Sequence, residues 1–379
     1  MMWELIRRNR IKSMLLLFAM GAVLFTLGYF IGITEFDNAL IGVIMAAIVW
    51  LILVWSSIRG GNSVMMANTG AYQLTKSDTQ YLQLYNIVEE MKIAANMDFT
   101  PQVYLIGDNS LNAFAVGNKP ENYAIVLTTG LVNKLNRNEL QAVVAHELSH
   151  ISNGDSQFMT LAGTILGAIY ILRRGFLERR RFPGGSSPRF RSSRSKSKSK
   201  SNSGSGVLVA YLILAAIAIL GVFLANMFYF AISRKREYLA DASAVRLTRY
   251  PEGLASALEK IACNAKLATA NSINAPLFIV NPLTKSGLFD THPPIKERIN
   301  ILRKMSGGAD FANYQQAYSI IKGKDASIIP SNTLRKEVTI PVLNLEPEPV
   351  PESNVQLITD SLTAPETSSC ETDYLIGPV

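Results

Sequence analysis

Residues 136–153 read NRNELQAVVAHELSHISN and hold the pattern that decides the fold around them. Asn136, with Glu139 three positions later, predicts a helix start of the capping-box kind, and the helix is expected to run to about Asn153. Four apolar side chains near helical spacing supply a face to bury: Leu140, Val143, Val144 and Leu148. The stretch therefore predicts a helix that lies against a core.

The same helix carries His146, Glu147 and His150. Positions i and i+4 of a helix lie on one face about one turn apart, so both imidazoles can reach one metal ion. Glu147 points to the neighbouring side, where its carboxylate can take a proton from a metal-bound water. The alternative is two structural histidines and a surface glutamate. Because the chain has only three histidines, a chance match to this pattern is rare.

A catalytic zinc usually has three protein ligands and one open position, so a third ligand is needed. Asp155 follows His150 by five residues, which in a continuous helix would rotate it off the ligand face. Glu237 and Asp241 lie four apart in a second predicted helix, 234–247, and project from one side. One of them could bind zinc while the other accepts an imidazole N–H. An acidic pair at this spacing is otherwise more typical of a solvated helix face.

The segments HELSH (146–150) and SRKREYLAD (233–241) together resemble the HtpX-type membrane zinc metalloprotease family, which is related to the CAAX prenyl endopeptidases. The resemblance extends over about residues 1–305. It implies one Zn²⁺ per chain, with Glu237 as the third ligand and Asp241 as its companion outside the ligand sphere. The basic insertion at 173–205 and the long acidic tail have no counterpart in the family pattern.

Two further segments resemble family motifs. Residues 112–117, NAFAVG, resemble the segment that lines the cleft, which implies three substrate-binding residues: Asn112, Ala113 and Phe114. His292 and Arg298 stand in a segment, THPPIKER, that resembles a motif near the scissile carbonyl. His292 could there stabilise the oxyanion of the tetrahedral intermediate. Without the resemblance, these residues would be interpreted as a turn asparagine, a core phenylalanine, a loop histidine and a surface charge.

The composition predicts that part of the chain lies in a membrane. Apolar residues make up 48% of the chain and charged residues 17%, below the roughly 25% that is usual for soluble domains. Four apolar stretches contain no Asp, Glu, Lys or Arg: 14–33, 39–58, 158–172 and 207–232. A bilayer span needs about 20 such residues.

The first two stretches form a predicted transmembrane hairpin. Basic residues precede it and Arg59 follows it, whereas the connector carries only Glu35 and Asp37, so both ends are expected in the cytoplasm. For the second pair two rules disagree. Hydropathy favours crossing, but 158–172 is short, and residues 173–201 hold eleven Lys or Arg and one acid, a composition that resists translocation.

These observations predict a mainly α membrane protein: a helical zincin-like metalloprotease domain with a small β-sheet, plus two pairs of transmembrane helices. Strands are expected at 103–106 and 124–127, with a loop or hairpin arm at 109–120, and further helices at 77–97 and 253–266. The expected domain order is a transmembrane hairpin (1–58), a first catalytic part (59–157), a second apolar pair with the basic loop 173–205 (158–232), a second catalytic part (233–305) and a C-terminal extension with a disordered acidic tail (306–379).

The resemblance implies a membrane-anchored zinc endopeptidase. With the charge pattern around the first hairpin, it is expected in the inner (cytoplasmic) membrane with its active site facing the cytoplasm. It would take part in the stress response by degrading damaged or misfolded membrane proteins, with the substrate lying along the Asn112 segment as an added strand. A CAAX-type prenyl peptide protease is the enzymatic alternative. The second alternative is a non-catalytic scaffold whose basic loop binds anionic lipid. No nucleic acid partner is expected, because the loop lacks a recognisable module.

Overall fold

A computed structural model describes residues 71–157, 234–264 and 292–305 without gaps, the helical region 38–70, most of 307–343, scattered positions between 11 and 37, and residues 159, 160, 278 and 279. The second predicted apolar pair, except Met159 and Thr160, lies outside the described residues. So do the basic loop 173–205 and the acidic tail.

The first described helix, α1 (Ala39–Thr69), contains the second predicted apolar stretch and continues beyond it. Asn38 caps its start, and Gly70, with φ of 67°, ends it. Close packing joins α1 to the preceding helical positions, because a Cβ on Gly42 would lie 1.9 Å from the carbonyl oxygen of Gly28. No helix among the described residues combines the length and the hydropathy needed to cross a bilayer.

A four-stranded sheet follows, made of β1 (Tyr72–Gln73), β2 (Gln102–Ile106), β3 (Ala113–Val116) and β4 (Ala124–Thr128). The strand order is β1-β2-β4-β3. The two predicted strands, β2 and β4, are confirmed and run parallel, while β3 is the expected hairpin arm and pairs antiparallel with β4. β3 is therefore an edge strand of this sheet.

Helix α2 (Leu82–Ala94) matches the predicted helix at 77–97 but is shorter. The predicted start at Ser77 is wrong, because the Asp78 carboxylate accepts a hydrogen bond from the Thr75 amide at 2.7 Å and holds a turn there. A 3₁₀ turn, Thr79–Tyr81, leads into the helix. At the other end Asn96 has φ of 51°, which stops helical propagation.

The central helix is α4 (Arg137–Ser152), which follows the short α3 (Thr129–Lys134). Its predicted capping box is present: the Asn136 side chain accepts from the Glu139 amide, and the Glu139 carboxylate accepts from the Asn136 amide, both at 2.9 Å. The sheet strands β3 and β4 pack against α4, as does α2. Most of the helix is buried, so its polar side chains are held in fixed positions.

Four more helices complete the described domain: α5 (Arg234–Thr248), α6 (Pro251–Cys263), α7 (Ile295–Arg303) and α8 (Phe311–Lys322), followed by the single turn α9 (Ser331–Leu334). Helices α5 and α6 confirm the two predicted there, with α6 starting at Pro251, a residue suited to a first helical turn. Both pack on α4, and α7 packs between α6 and α8. Phe311, Tyr314 and Ile329 from the expected C-terminal extension lie in this same core.

Candidate metal centre

Two packed helices position the candidate ligands. α4 carries His146, Glu147 and His150, and α5, which packs closely along it, carries Glu237 and Asp241. The i, i+4 spacing in each helix turns each pair toward the other helix. His146 is fully buried and the His150 side chain is 16% exposed, so His150 lies nearer the surface of the described protein.

The three donors of the predicted ligand set converge. The Nε2 atoms of His146 and His150 lie 3.2 Å apart. Glu237 Oε2 is 3.6 Å from the first Nε2, and its Oε1 is 3.5 Å from the second. Zinc binds imidazole and carboxylate at about 2.0–2.2 Å, so ligands around one tetrahedral ion lie about 3.3–3.6 Å apart. The observed separations fit a single ion of this kind.

The outer nitrogens of both imidazoles face carboxylates. His146 Nδ1 lies 3.1 Å from Asp241 Oδ1, and His150 Nδ1 lies 3.3 Å from Asp155 Oδ2. A carboxylate at Nδ1 holds the proton there and leaves the Nε2 lone pair free to bind a metal. The donor set therefore fits a metal in the placement of these carboxylates as well as in its spacing.

Arg298 from α7 locks Asp241 in place. Its Nε and Nη2 donate to the two carboxylate oxygens of Asp241 at 2.8 and 2.7 Å, a bidentate pair in which both side chains are fully buried. Its Nη1 also donates to the Ile279 carbonyl at 3.2 Å and lies 3.7 Å from Glu237 Oε2. Arg298 therefore contacts the site mainly through Asp241. Its Nη1 also approaches Glu237, a candidate metal ligand.

The charges of the site favour a bound cation. Burial lowers the pKa of His146, but Asp241 and Glu237 outweigh it through hydrogen bonds and raise that pKa to about 9. Burial also opposes ionisation of Glu237, yet the charges of His292 and His150 hold its pKa well below the usual value. The carboxylates therefore stay ionised, and they stabilise positive charge on the groups between them.

Glu147 is distinguished from these carboxylates by its surroundings. It is 2% exposed, and burial raises its pKa, although the neighbouring His146 and His150 oppose that shift. A carboxylate with a raised pKa is better able to accept and then return a proton near neutral pH. These surroundings suit a general base, and that role stays a prediction for Glu147.

The remaining predicted residues lie around this centre. His292 is 8% exposed, and its charge acts on Glu237. Asn112, Ala113 and Phe114 are buried at the start of the edge strand β3, which packs against α4. The Asn112 Oδ1 accepts from the Ala113 amide at 3.1 Å, and Phe114 packs edge-on against Phe278.

Asp155 lies closer to the centre than its spacing from His150 predicts. The spacing excludes it only if the helix continues, but α4 ends at Ser152, and Gly154 adopts a φ of 73°. The reversal brings Asp155 back to His150. Gly154 is the signal that could have revealed this, since glycine just beyond a helix commonly takes the left-handed conformation that turns the chain.

Comparison with known proteins identifies the family of this chain. The family model for Peptidase family M48 matches residues 78–306, which is more than half of the chain and includes every residue of the centre described above. The chain belongs to Peptidase family M48. It is a metallopeptidase, a hydrolase of peptide bonds whose substrates are polypeptides.

Individual relatives of this M48 peptidase match over most of their length. A Protease HtpX homolog of Dictyoglomus turgidum is 42% identical over 307 residues, which is 80% of this chain and 94% of that protein. One from Listeria monocytogenes serotype 4a is 39% identical over 310 residues, 80% of this chain and 100% of that protein. The crystal structure of S. mikatae Ste24p aligns with a TM-score of 0.40 and 19% identity, covering 79% of this chain and 66% of that one.

Proposed function

We propose that this M48 peptidase is a membrane-anchored zinc endopeptidase in which His146, His150 and Glu237 hold one Zn²⁺. The observation that supports this best is the convergence of the two Nε2 atoms and the Glu237 carboxylate at separations of 3.2 to 3.6 Å. Two nitrogens and one carboxylate are a ligand set of catalytic zinc, which leaves a fourth position for water.

Zinc bound there would polarise the scissile carbonyl and lower the pKa of water. Glu147 takes the proton of the attacking water and delivers it to the leaving amine. His292, beside Glu237, donates to the oxygen on which negative charge develops. Arg298 acts mainly by fixing Asp241, which in turn fixes the ring of His146. Each group therefore has one role in the attack or in holding the site.

The substrate is proposed to lie extended beside β3, with Asn112, Ala113 and Phe114 lining the cleft. Asn112 bonds inward to Thr128, and Phe114 pairs with Val126, so the backbone groups of Ala113 and Ala115 face the open edge. The carbonyl of Ala113 already accepts from the Ile279 amide at 2.9 Å. A substrate strand would therefore pair chiefly at Ala115.

Membrane anchoring is supported by the N-terminal region. Many large apolar side chains there are exposed in the isolated chain, and a high density of exposed apolar side chains is typical of a membrane or protein contact. They include Leu15, Phe18, Phe30, Leu40, Ile44, Ile48 and Trp55. With the sequence rules, this favours a multi-pass inner-membrane protein whose catalytic parts, 59–157 and 233–305, face the cytoplasm and act on damaged membrane proteins.

The proposal is tested on detergent-purified protein by its zinc content and its cleavage of casein, with and without a chelator. We expect about one zinc per chain, and cleavage that stops with the chelator and returns with Zn²⁺. Glu147→Gln should retain zinc and lose cleavage by about 10²–10⁴-fold. The control is Glu121→Gln, an exposed residue, which should retain both.

Three results would contradict the proposal. A fully active Glu147→Gln variant would show that Glu147 is not the general base. Protein without metal that cleaves nothing but binds anionic liposomes would favour the scaffold. Cleavage confined to prenylated peptides, with casein and membrane proteins left intact, would favour the CAAX-type alternative.

A further inference from the structure

We propose that Asp155, held by Arg236, is a positioning residue that orients His150 for metal binding. This inference rests on the zinc site proposed above. It adds two residues that lie outside the ligand set, and it gives the second histidine a fixed support of its own.

The end of α4 creates the contact. The amide of Asn153 donates to the Ser149 carbonyl and that of Gly154 to the Ile151 carbonyl, which closes the helix in a tight turn. The left-handed Gly154 then directs the chain back along α4. Asp155 consequently faces His150, one turn back along the helix, at 3.3 Å between Oδ2 and Nδ1.

Arg236 pairs with the other carboxylate oxygen of Asp155. Its Nε lies 3.5 Å from Asp155 Oδ1, and both side chains are almost fully buried, at 8% and 3% exposure. Arg236 directly precedes the candidate ligand Glu237 on α5. The ion pair therefore joins the end of α4 to the start of α5, the two helices that carry the metal donors.

Each histidine faces a carboxylate that pairs with an arginine, although the Arg298 pair is bidentate at 2.8 and 2.7 Å and the Arg236 pair is a single contact at 3.5 Å. His146 faces Asp241, which is held by Arg298, and His150 faces Asp155, which is held by Arg236. The His146 side chain is fully buried, whereas the His150 side chain is 16% exposed. Asp155 constrains the His150 ring, because a carboxylate at Nδ1 sets both the tautomer and the rotation of a ligand imidazole.

The test measures zinc affinity by competition with a chromogenic chelator, together with kcat and KM on a peptide substrate. Asp155→Asn keeps an acceptor but loses the charge, and Asp155→Ala loses both. We expect zinc to bind about 10- to 100-fold more weakly in the alanine variant, with a smaller loss in the asparagine variant and KM nearly unchanged. Arg236→Met should weaken zinc binding in the same direction.

Asp310→Asn is the matched control for general destabilisation. Asp310 is 2% exposed and caps α8 by accepting from the Asn313 amide at 2.9 Å, away from the metal donors. This variant should lose stability but retain zinc affinity. If the Asp155 variants lose stability and bind zinc within twofold of the parent, the pair is only structural and the inference is wrong. If the parent itself binds no zinc, the zinc site fails instead.

The asparagine variant keeps the test decisive if the alanine variant does not fold. An asparagine side chain has nearly the same volume as that of aspartate, so the effect of Asp155→Asn on packing is small. Unchanged zinc affinity in a folded Asp155→Asn protein, combined with unchanged affinity in Arg236→Met, would overturn the positioning role.

Discussion

Arg298 and Arg303 lie on the same helix and both pair with two carboxylate oxygens or more, but their environments differ. Arg298 is fully buried against Asp241, whereas the Arg303 side chain is 42% exposed beside Glu252 and Glu259. We expect Arg298→Met to lower the free energy of unfolding by about 3–5 kcal/mol, because Asp241 would be left as an uncompensated buried charge. Arg303→Met should cost at most about 1 kcal/mol.

Urea unfolding of both variants measures the difference. Similar losses in the two proteins would show that Asp241 is not held as a buried anion by Arg298. The double variant Asp241→Asn, Arg298→Met provides a second check. It should recover part of the loss, since both charges of the pair are then removed.

Among individual residues, the sequence predicts those site residues whose positions follow from helical spacing. His146, His150, Glu237 and Asp241 follow from helical spacing, with the family resemblance deciding between the two acids. Asp155 does not follow, because its position depends on the backbone conformation of a single glycine. The pairing of Arg298 with Asp241 also cannot be derived from spacing, since it joins residues 57 positions apart through the packing of α7 against the domain.

The metal centre depends most directly on α4, the helix that carries His146, Glu147 and His150, and the start of this helix can be tested. Asn136→Ala removes the acceptor for the Glu139 amide and should lower the free energy of unfolding by about 1 kcal/mol. Asn136→Ser should retain most of the stability that the cap contributes, because serine is also a preferred cap. Thermal or urea unfolding distinguishes them, and an alanine variant as stable as the parent would show that packing alone defines the helix start.

Substitutions at two glycines, Gly107 and Gly130, test how closely the loop between β2 and β3 is packed. Gly130 in α3 packs beneath this loop, so a Cβ there would lie 2.2 Å from the Asn109 carbonyl oxygen, whereas one on Gly107 would meet nothing within 4 Å. We expect Gly130→Ala to cost about 1–3 kcal/mol and to raise KM, because the loop leads into the proposed substrate strand. Gly107→Ala should leave stability and KM unchanged. A Gly130→Ala variant with unchanged stability and KM would show that the loop moves freely.

Element types are predicted better than element ends. The alternation of β-prone runs and turns indicates β2 and β4, and periodicity indicates α4, α5 and α6. The end of α1 is not predictable from hydropathy, because the helix continues for eleven residues past Ile58 through a segment whose apolar run is only four residues long, 64–67. Strand β1 is not predictable either, since its two residues, Tyr72 and Gln73, carry no pattern.

At the scale of the whole molecule, the described C-terminal residues are part of the peptidase domain, although the family match ends at residue 306. α8 packs on α5 and α7, the helices that carry Glu237, Asp241 and Arg298. Tyr238 of α5 stacks edge-on with Tyr318 of α8 at 5.0 Å. The Ala309 amide also donates to the Ile340 carbonyl at 2.7 Å, which ties the final described segment to the domain.

We therefore expect a chain truncated after Ser306 to lose both stability and cleavage. It would expose the surfaces now covered by Phe311, Tyr314, Tyr318 and Ile329, each worth about 1.5–3 kcal/mol, and their sum of about 6–12 kcal/mol is comparable with the net stability of a domain. A chain ending at Asn344 removes the acidic tail but keeps these contacts, so it should retain zinc and casein cleavage. Melting temperature, zinc content and cleavage of the two truncated proteins decide the matter. Full activity in the shorter chain would show that α8 only covers a domain that is already complete, and the metal centre would then need no support from beyond the family match.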